Sequence, residues 1–227
     1  MTIFVPSQGS GTPTGVAGVY DYNSLKQAVQ DWFARSDIGN WIDYFIQIAE
    51  ADIYRDIIAG NQGRGVRPME ASLSVAVSNG AAAVPADYLG LKIALVSLNG
   101  NTFELQRVNP EFIYTQYPAQ VASGTPAYIA RQGANFVFGP YPDQSYTITG
   151  IYWKKALQLT AVNSTNWIVN TIPTIMLAAT NRAAARFNKD QEAYGIWDSL
   201  YNQQIQSYIL TDRAEDMSGS ALAMVSA

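Results

Sequence analysis

The chain has no cysteine and no histidine among its 227 residues. The first absence excludes disulfides and thiolate metal sites, and it leaves the redox compartment unreadable. The second removes the usual general base, the usual Ser or Cys triad and most zinc sites. Charge is scarce too: 14% of the residues are Asp, Glu, Lys or Arg, where roughly a quarter is ordinary. The net charge of −4 lacks the clustered Lys and Arg that a phosphate-coating surface needs. No apolar run approaches the roughly 18 residues of a membrane helix. The longest, residues 172–179, is interrupted by Pro173 and Thr174. Residues 1–10 show neither the basic nor the apolar part of a signal peptide. The expectation is a soluble chain without an export signal, a cofactor or a membrane partner.

What fills the space left by charge is 14 Tyr and 5 Trp, together with Asn, Gln, Ser and Thr. A surface poor in Lys and Glu but rich in Tyr and Trp has the composition of extensive protein contacts. A DNA duplex could pass such an acidic surface, with repulsion keeping it from adhering.

Residues 7–18, rich in Gly, Ser and Thr, read as a flexible arm. Ser24 with Gln27 three residues on makes a capping-box signature. Leu25, Ala28, Val29, Trp32 and Phe33 then recur at helical spacing. After a turn at 36–40, a second helix carries an apolar stripe of Ile42, Phe45, Ile46, Ala49, Ile53 and Ile57, opposed by Asp43, Gln47, Glu50 and Arg55. Gly60 supplies a stop. From 61 to about 163 the texture becomes that of strands: Leu73, Val75 and Val77 alternate with small residues, and 91–98 leads through Asn99-Gly100 into a return at 102–108. Pro110 opens a short helix, and strands follow at 127–132, 135–138 and 146–154. Helical spacing resumes after Trp167, where Ile175, Met176, Ala179, Ala183 and Phe187 share a face. Ala178, Ala179, Ala183, Ala184 and Ala185 permit a close helix neighbour. Tyr194, Trp197, Leu200, Tyr201, Ile205, Tyr208 and Ile209 stripe a last helix, weakened at its start by Gly195.

The predicted fold is therefore α+β: a four-helix bundle formed by both chain ends, with an inserted small antiparallel β domain. The boundaries are an arm at 1–20, the bundle at 21–60 and 166–212, the insertion at 61–165, and a tail at 213–227. The tail is too short for a core of its own, yet it carries Leu222, Met224 and Val225. It reads either as a frayed end or as a segment that orders on a neighbour, where each apolar side chain could contribute roughly 1.5–3 kcal/mol.

Candidates for chemistry are few. Asp52 and Asp56 are i,i+4 neighbours near Glu50, and two carboxylates held at the right separation could serve glycoside hydrolysis. The plainer account is a solvated helix face. The run from Gly60 through Gly63, Arg64, Gly65 and Arg67 to Pro68 follows a helix and lacks the Gly-Lys-Ser/Thr that grips phosphate, so it reads as a flexible crossover. Arg64 and Arg67 could touch DNA or a partner carboxylate from it, or could simply aid solubility. Asn163-Ser164-Thr165 is a glycosylation sequon without meaning in an unsecreted chain, and Asp143 is turn chemistry. Trp32, Trp41, Trp167 and Trp197 are expected in core packing and not in ligand stacking. No active site emerges, and the chain reads as a non-enzyme.

Four ordered stretches form a familiar pattern. The first is Tyr22-Asn23-Ser24-Leu25-Lys26-Gln27-Ala28-Val29-Gln30-Asp31-Trp32-Phe33-Ala34-Arg35-Ser36-Asp37. The second is Ile42-Asp43-Tyr44-Phe45-Ile46-Gln47-Ile48-Ala49-Glu50 with Ile53-Tyr54-Arg55-Asp56. The third is Val84-Pro85-Ala86-Asp87-Tyr88-Leu89. The fourth runs from Gly124-Thr125-Pro126-Ala127-Tyr128 through Phe138-Gly139-Pro140-Tyr141-Pro142-Asp143 and Tyr152 to Thr165-Asn166-Trp167 and Pro173. Over about residues 20–212 the chain resembles the head-to-tail adaptor (connector or head-completion) proteins of short-tailed and related double-stranded DNA bacteriophages.

The resemblance implies a structural virion protein at the head–tail interface, assembled in the host bacterial cytoplasm as a ring of twelve copies. Such a ring extends the portal channel, lets double-stranded DNA pass without sequence-specific binding, and attaches downstream tail, nozzle or fibre proteins. It also implies that the C-terminal segment reaches the portal, which places Arg213, Met217, Leu222, Met224 and Val225 at that contact and leaves Arg64 and Arg67 for the channel. Sparse charge on the helices and the long arm before Tyr20 depart from the pattern. The competing readings are a tail-tube or fibre-attachment component and a carboxylate-based phage glycoside hydrolase.

Overall fold

A computed structural model describes residues 18–34, 37–77, 80–98 and 100–217. It is a mixed α and β protein whose two four-stranded sheets are mainly antiparallel. Helix α1 (Tyr22–Phe33) begins earlier than Ser24. Its cap is Asp21, whose carboxylate accepts from the Ser24 N–H at 2.7 Å while the Ser24 hydroxyl accepts from the Asp21 N–H at 2.8 Å. The capping box is thus present with Ser24 as its third-position member and not as its cap. A short 3-10 turn (Asp37–Trp41) leads into α2 (Ile42–Gly60), and the whole expected stripe from Ile42 to Ile57 is buried.

The strands follow as β1 (Glu70–Ala76), β2 (Ala81–Ala83), β3 (Tyr88–Leu98), β4 (Asn101–Glu104) and β5 (Gln106–Arg107). After the short helix α3 (Pro110–Gln116) come β6 (Ser123–Gly124), β7 (Tyr128–Gln132), β8 (Asn135–Gly139), β9 (Tyr141–Pro142) and β10 (Thr147–Lys154). One four-stranded sheet has the order β1-β10-β3-β4 and a second the order β2-β8-β7-β5. The expected return strand over 102–108 is therefore two strands in different sheets. Leu105 is the reason: its side chain is buried, its N–H still reaches Ala94 O at 2.9 Å, and the next N–H, of Gln106, already reaches Ala127 O at 2.9 Å. The chain crosses between sheets at the residue that drops into the core between them. Two short pairs, β5 with β7 and β6 with β9, run parallel.

The remaining helices are α4 (Trp167–Thr171), α5 (Pro173–Asn188) and α6 (Gln191–Met217). Alanine-rich α5 packs against α1, α2, α4 and α6, as its small side chains allow. Apolar residues from α1, α2, α4, α5 and α6 form one core, which also takes in Val66, Met69, Leu159 and Trp153 from outside those helices. A second core, including Leu73, Val96, Leu105, Ile129, Phe136 and Ile148, lies between the sheets. At 27 residues, α6 is about 40 Å long and continues through Arg213 to Met217, past the expected end at 212. Among the described residues, no helix is long and apolar enough to cross a membrane.

Candidate interaction surfaces

Glu50, Asp52 and Asp56 of α2 do not form a solvated face. Glu50 is 3% exposed. Its Oε1 accepts from the Leu159 N–H at 3.0 Å and from Asn166 Nδ2 at 2.7 Å. Burial holds its carboxyl above the ordinary range, partly offset by those two donors. One turn on, the Tyr54 hydroxyl accepts from the Ala156 N–H at 2.8 Å and Trp167 Nε1 at 3.2 Å. Together they pin the loop 156–166 against α2. The sequence carried a signal for this: Ile46, Glu50, Ile53 and Ile57 share the i, i+4, i+7, i+11 spacing of a single face.

Asp52 and Asp56 do share a face, but both are engaged. Asp52 pairs with Arg182 Nη2 at 2.6 Å and Arg55 Nη1 at 2.7 Å. Asp56 accepts from the Tyr201 hydroxyl at 2.9 Å and pairs with Arg55 at 2.8 Å. Arg182 on α5 also reaches Asp198 on α6 at 3.0 Å and lies 4.0 Å over the Tyr201 ring. Burial first, then Asp56, pushes the Tyr201 hydroxyl up. A shallow groove of about 440 Å³ passes Asp52, Asp56, Arg182 and Asp198. The arrangement joins three helices through charge-assisted bonds and offers no carboxylate poised over a cleft to take or give a proton. Nothing in the sequence pattern singled out Arg182 as the centre of this network.

A second charged cluster fastens α6 to the β sheets. Arg67 Nε meets Asp212 Oδ1 at 3.1 Å, and its Nη2 meets Glu215. Arg213 Nε donates to Asn61 Oδ1 at 2.6 Å, and Asn61 Nδ2 donates to Gly65 O at 2.9 Å. Lys92 pairs with Glu70 at 2.6 Å and approaches Asp216 at 3.7 Å. The crossover at 60–68 is accordingly hydrogen-bonded and not a loose linker; the Gly63 and Arg64 N–H groups reach back to Ile58 O and Asn61 O. Arg67 is engaged within the chain, whereas Arg64 is exposed on a cleft of about 510 Å³ that Trp153, Arg107 and Asp216 also line. Arg213 and Met217 belong to α6 and not to a separate tail. Leu222, Met224 and Val225 lie outside the described residues, as do residues 1–17 of the arm. Among the described residues, no three acidic side chains gather in a way that could hold a metal ion.

Two of the tryptophans expected in the core stand outside it. Trp32 is 63% exposed and meets Trp197 edge-on at 5.0 Å; Trp41 is half-exposed and lies 5.1 Å from Phe187. Trp167 and Trp197 are only partly buried, packed on the helical core. Asp143 is a turn residue as expected and accepts from the Tyr146 hydroxyl at 2.7 Å. Asn163 caps its loop from within, its Nδ2 donating to Gln158 O at 2.9 Å.

Compared with known proteins, residues 20–224 match the family model described as SU10 adaptor protein. No curated protein matches the chain.

Proposed function

Because the chain belongs to the SU10 adaptor protein family, and is in that sense a structural head-to-tail adaptor of a bacteriophage, we propose that it works as a ring below the portal. Twelve copies extend the DNA channel and give downstream tail, nozzle or fibre proteins a platform in the virion. It catalyses no reaction. The observation that carries this reading is the extent of the match, 20–224, which spans both helical segments and the strands between them.

In this reading the helices from the two chain ends act as one four-helix bundle (21–60 and 166–212, prolonged by α6), and 61–165 is an inserted domain. A ring closes through head-to-tail contacts between unlike surfaces of one chain, which a Tyr- and Trp-rich, charge-poor exterior suits. The net charge of −4 on each copy disfavours adhesion of passing DNA, with Arg64 as the candidate for transient phosphate contact and Arg67 holding its loop. The segment beyond α6, with Leu222, Met224 and Val225, reaches the portal, and Arg213 and Met217 set the point from which it departs.

The test mixes the portal protein of the same virion with the full chain and with a chain ending at Met217, and images both by negative stain. Portal-seated rings are expected for the first and not for the second. Failure of the full chain to seat on a portal, or turnover of a substrate by lone subunits, overturns the reading.

A further inference from the structure

Three arginines of the described chain are held by its own carboxylates: Arg55 by Asp52 and Asp56, Arg67 by Asp212 and Glu215, Arg182 by Asp52 and Asp198. Three others are not, and they follow one seam. Arg64, Arg107 and Arg131 are exposed, and none meets a carboxylate among the described residues. Arg64 and Arg107 line the cleft of about 510 Å³ already described. Arg107 and Arg131 line a neighbouring cleft of about 270 Å³, and the two clefts share Arg107 and the buried Trp153.

Two of these guanidinium groups are braced from behind. Arg107 Nη1 donates to Leu91 O. Arg131 Nε donates to Gly133 O at 3.1 Å, and its guanidinium lies 5.0 Å from the centre of the Tyr88 ring. Burial raises the Tyr88 hydroxyl, and the charges of Arg131 and Arg107 both oppose that rise. A guanidinium carries five N–H donors in a planar fork, so each keeps most of its donors for a partner. Side chains braced in this way lose little rotamer freedom when an anion arrives. Of the carboxylates on the larger cleft, Glu70, Asp212 and Asp216 already face Lys92 or Arg67, and Glu104 alone has no ion pair. The seam as a whole is left with positive charge unanswered, in a chain whose net charge is −4.

The surroundings select the kind of anion. Acidic side chains in the cleft wall repel a backbone that carries a phosphate at every step. A DNA duplex, whose major groove alone is about 12 Å wide, is too broad for spaces of these volumes. A polypeptide fits both limits, since it carries its carboxylates at intervals on a narrow chain. Glu104 and Arg107 also belong to β4 and β5, the edge strands of the two four-stranded sheets. Edge strands carry main-chain groups without a ladder partner, which an extended chain can use. We infer that this seam docks an extended acidic segment of a partner protein, whose Asp or Glu side chains are taken by Arg64, Arg107 and Arg131. Such docking is a standing contact, separate from the transient meeting of Arg64 with passing DNA, and it holds whatever the number of copies that assemble.

The test titrates a fluorescein-labelled hexaglutamate peptide into the full chain at about 50 mM salt, where charge pairing is only weakly screened. Saturable binding is expected. It should fall on the order of tenfold or more in Arg64→Glu and in the double variant Arg107→Glu/Arg131→Glu. Arg186→Glu, on an exposed arginine of a different groove, should bind as the unmodified chain does. The Arg64 side chain makes no hydrogen bond or ion pair among the described residues, so its reversal should leave the melting temperature unchanged and keep the test valid if the double variant fails to fold. No saturable binding, unaltered binding by Arg64→Glu, or an equal loss in Arg186→Glu overturns the inference. Displacement of the peptide by a short DNA duplex or by inorganic phosphate at matched ionic strength overturns it too, and makes the seam a phosphate site. A chain that binds the peptide through these arginines but never seats on a portal sustains the inference while the adaptor reading fails.

Discussion

The helical and β portions keep their shapes by different means. Among the described residues the buried polar and charged side chains are Ser24, Glu50, Asn61, Asn166, Thr180, Asn181, Arg182 and Asp212. All lie in helices or within one residue of their ends, and none falls between 62 and 165. Helices satisfy their own backbone and meet one another only through side chains, so a fixed mutual orientation benefits from directional polar contacts such as the Asp52–Arg182–Asp198 pairs. Strands already specify their neighbours through backbone ladders and the two-residue alternation of faces. Their core can then be apolar with stacked rings, as Tyr88 and Tyr152 are at 5.9 Å. A chain with few charges therefore places several of them inside its helices, while apolar side chains such as Trp32, Tyr44, Ile196 and Leu210 stand exposed on the outside.

Four substitutions separate the two regions. The largest effect belongs to Arg182→Ala, which leaves Asp52 with Arg55 alone and Asp198 with only the Asn202 amide, and uncovers the Tyr201 ring; it should cost about 3–5 kcal/mol in denaturant unfolding. In the sheets a single added carbon does comparable damage. At Gly150, φ is +156° and a Cβ would lie 2.1 Å from Ile93 O, so Gly150→Ala should cost about 2–4 kcal/mol. A cost under half a kcal/mol for either variant would break the contrast between polar clamps and close backbone approach.

Glu50→Gln probes the buried carboxylate through pH. Its folded carboxyl keeps its proton above the ordinary 4.5, so its contribution to stability is complete below that value and is lost as pH rises through the raised one. The neutral amide has no such loss. The melting temperature of Glu50→Gln relative to the unmodified chain should climb as pH is raised from 4 to 8, and a flat difference would mean that Glu50 is not held protonated by burial. The smallest effect has the opposite sign. Gly195 lies in α6 with open space where a Cβ would sit, so Gly195→Ala should stabilise by about 0.5–1 kcal/mol.

Much of this architecture was legible because periodicity reports burial. The isoleucine stripe of α2, the antiparallel pairing of β3 with β4, Pro110 and Pro173 at helix starts, and the alternation through β1 appear where the residues place them. The passage at Leu105 is invisible in the sequence because a one-residue step between sheets leaves the alternation unbroken. Glu50 reads as a solvent residue because carboxylates usually face water, although its spacing lies on the apolar stripe. Trp32 and Trp41 lie near helix ends or on an apolar stripe, which points to the core, yet both are exposed because that position ends at the edge of the packed helices.

By itself the sequence determined what this protein cannot use, namely thiols, imidazoles, a basic phosphate-binding face and a long apolar span, and it determined the order of its helices and strands. Those properties depend on residue identity and on neighbours a few positions apart. Only the tertiary structure decided that Arg182 would join Asp52 to Asp198, that Arg67 would meet Asp212 across 145 residues, and that Leu157 and Val162 would be exposed while Leu159 between them is buried. Such outcomes hang on the relative placement of distant segments, which the packing of α5 against its neighbours sets and no local spacing encodes.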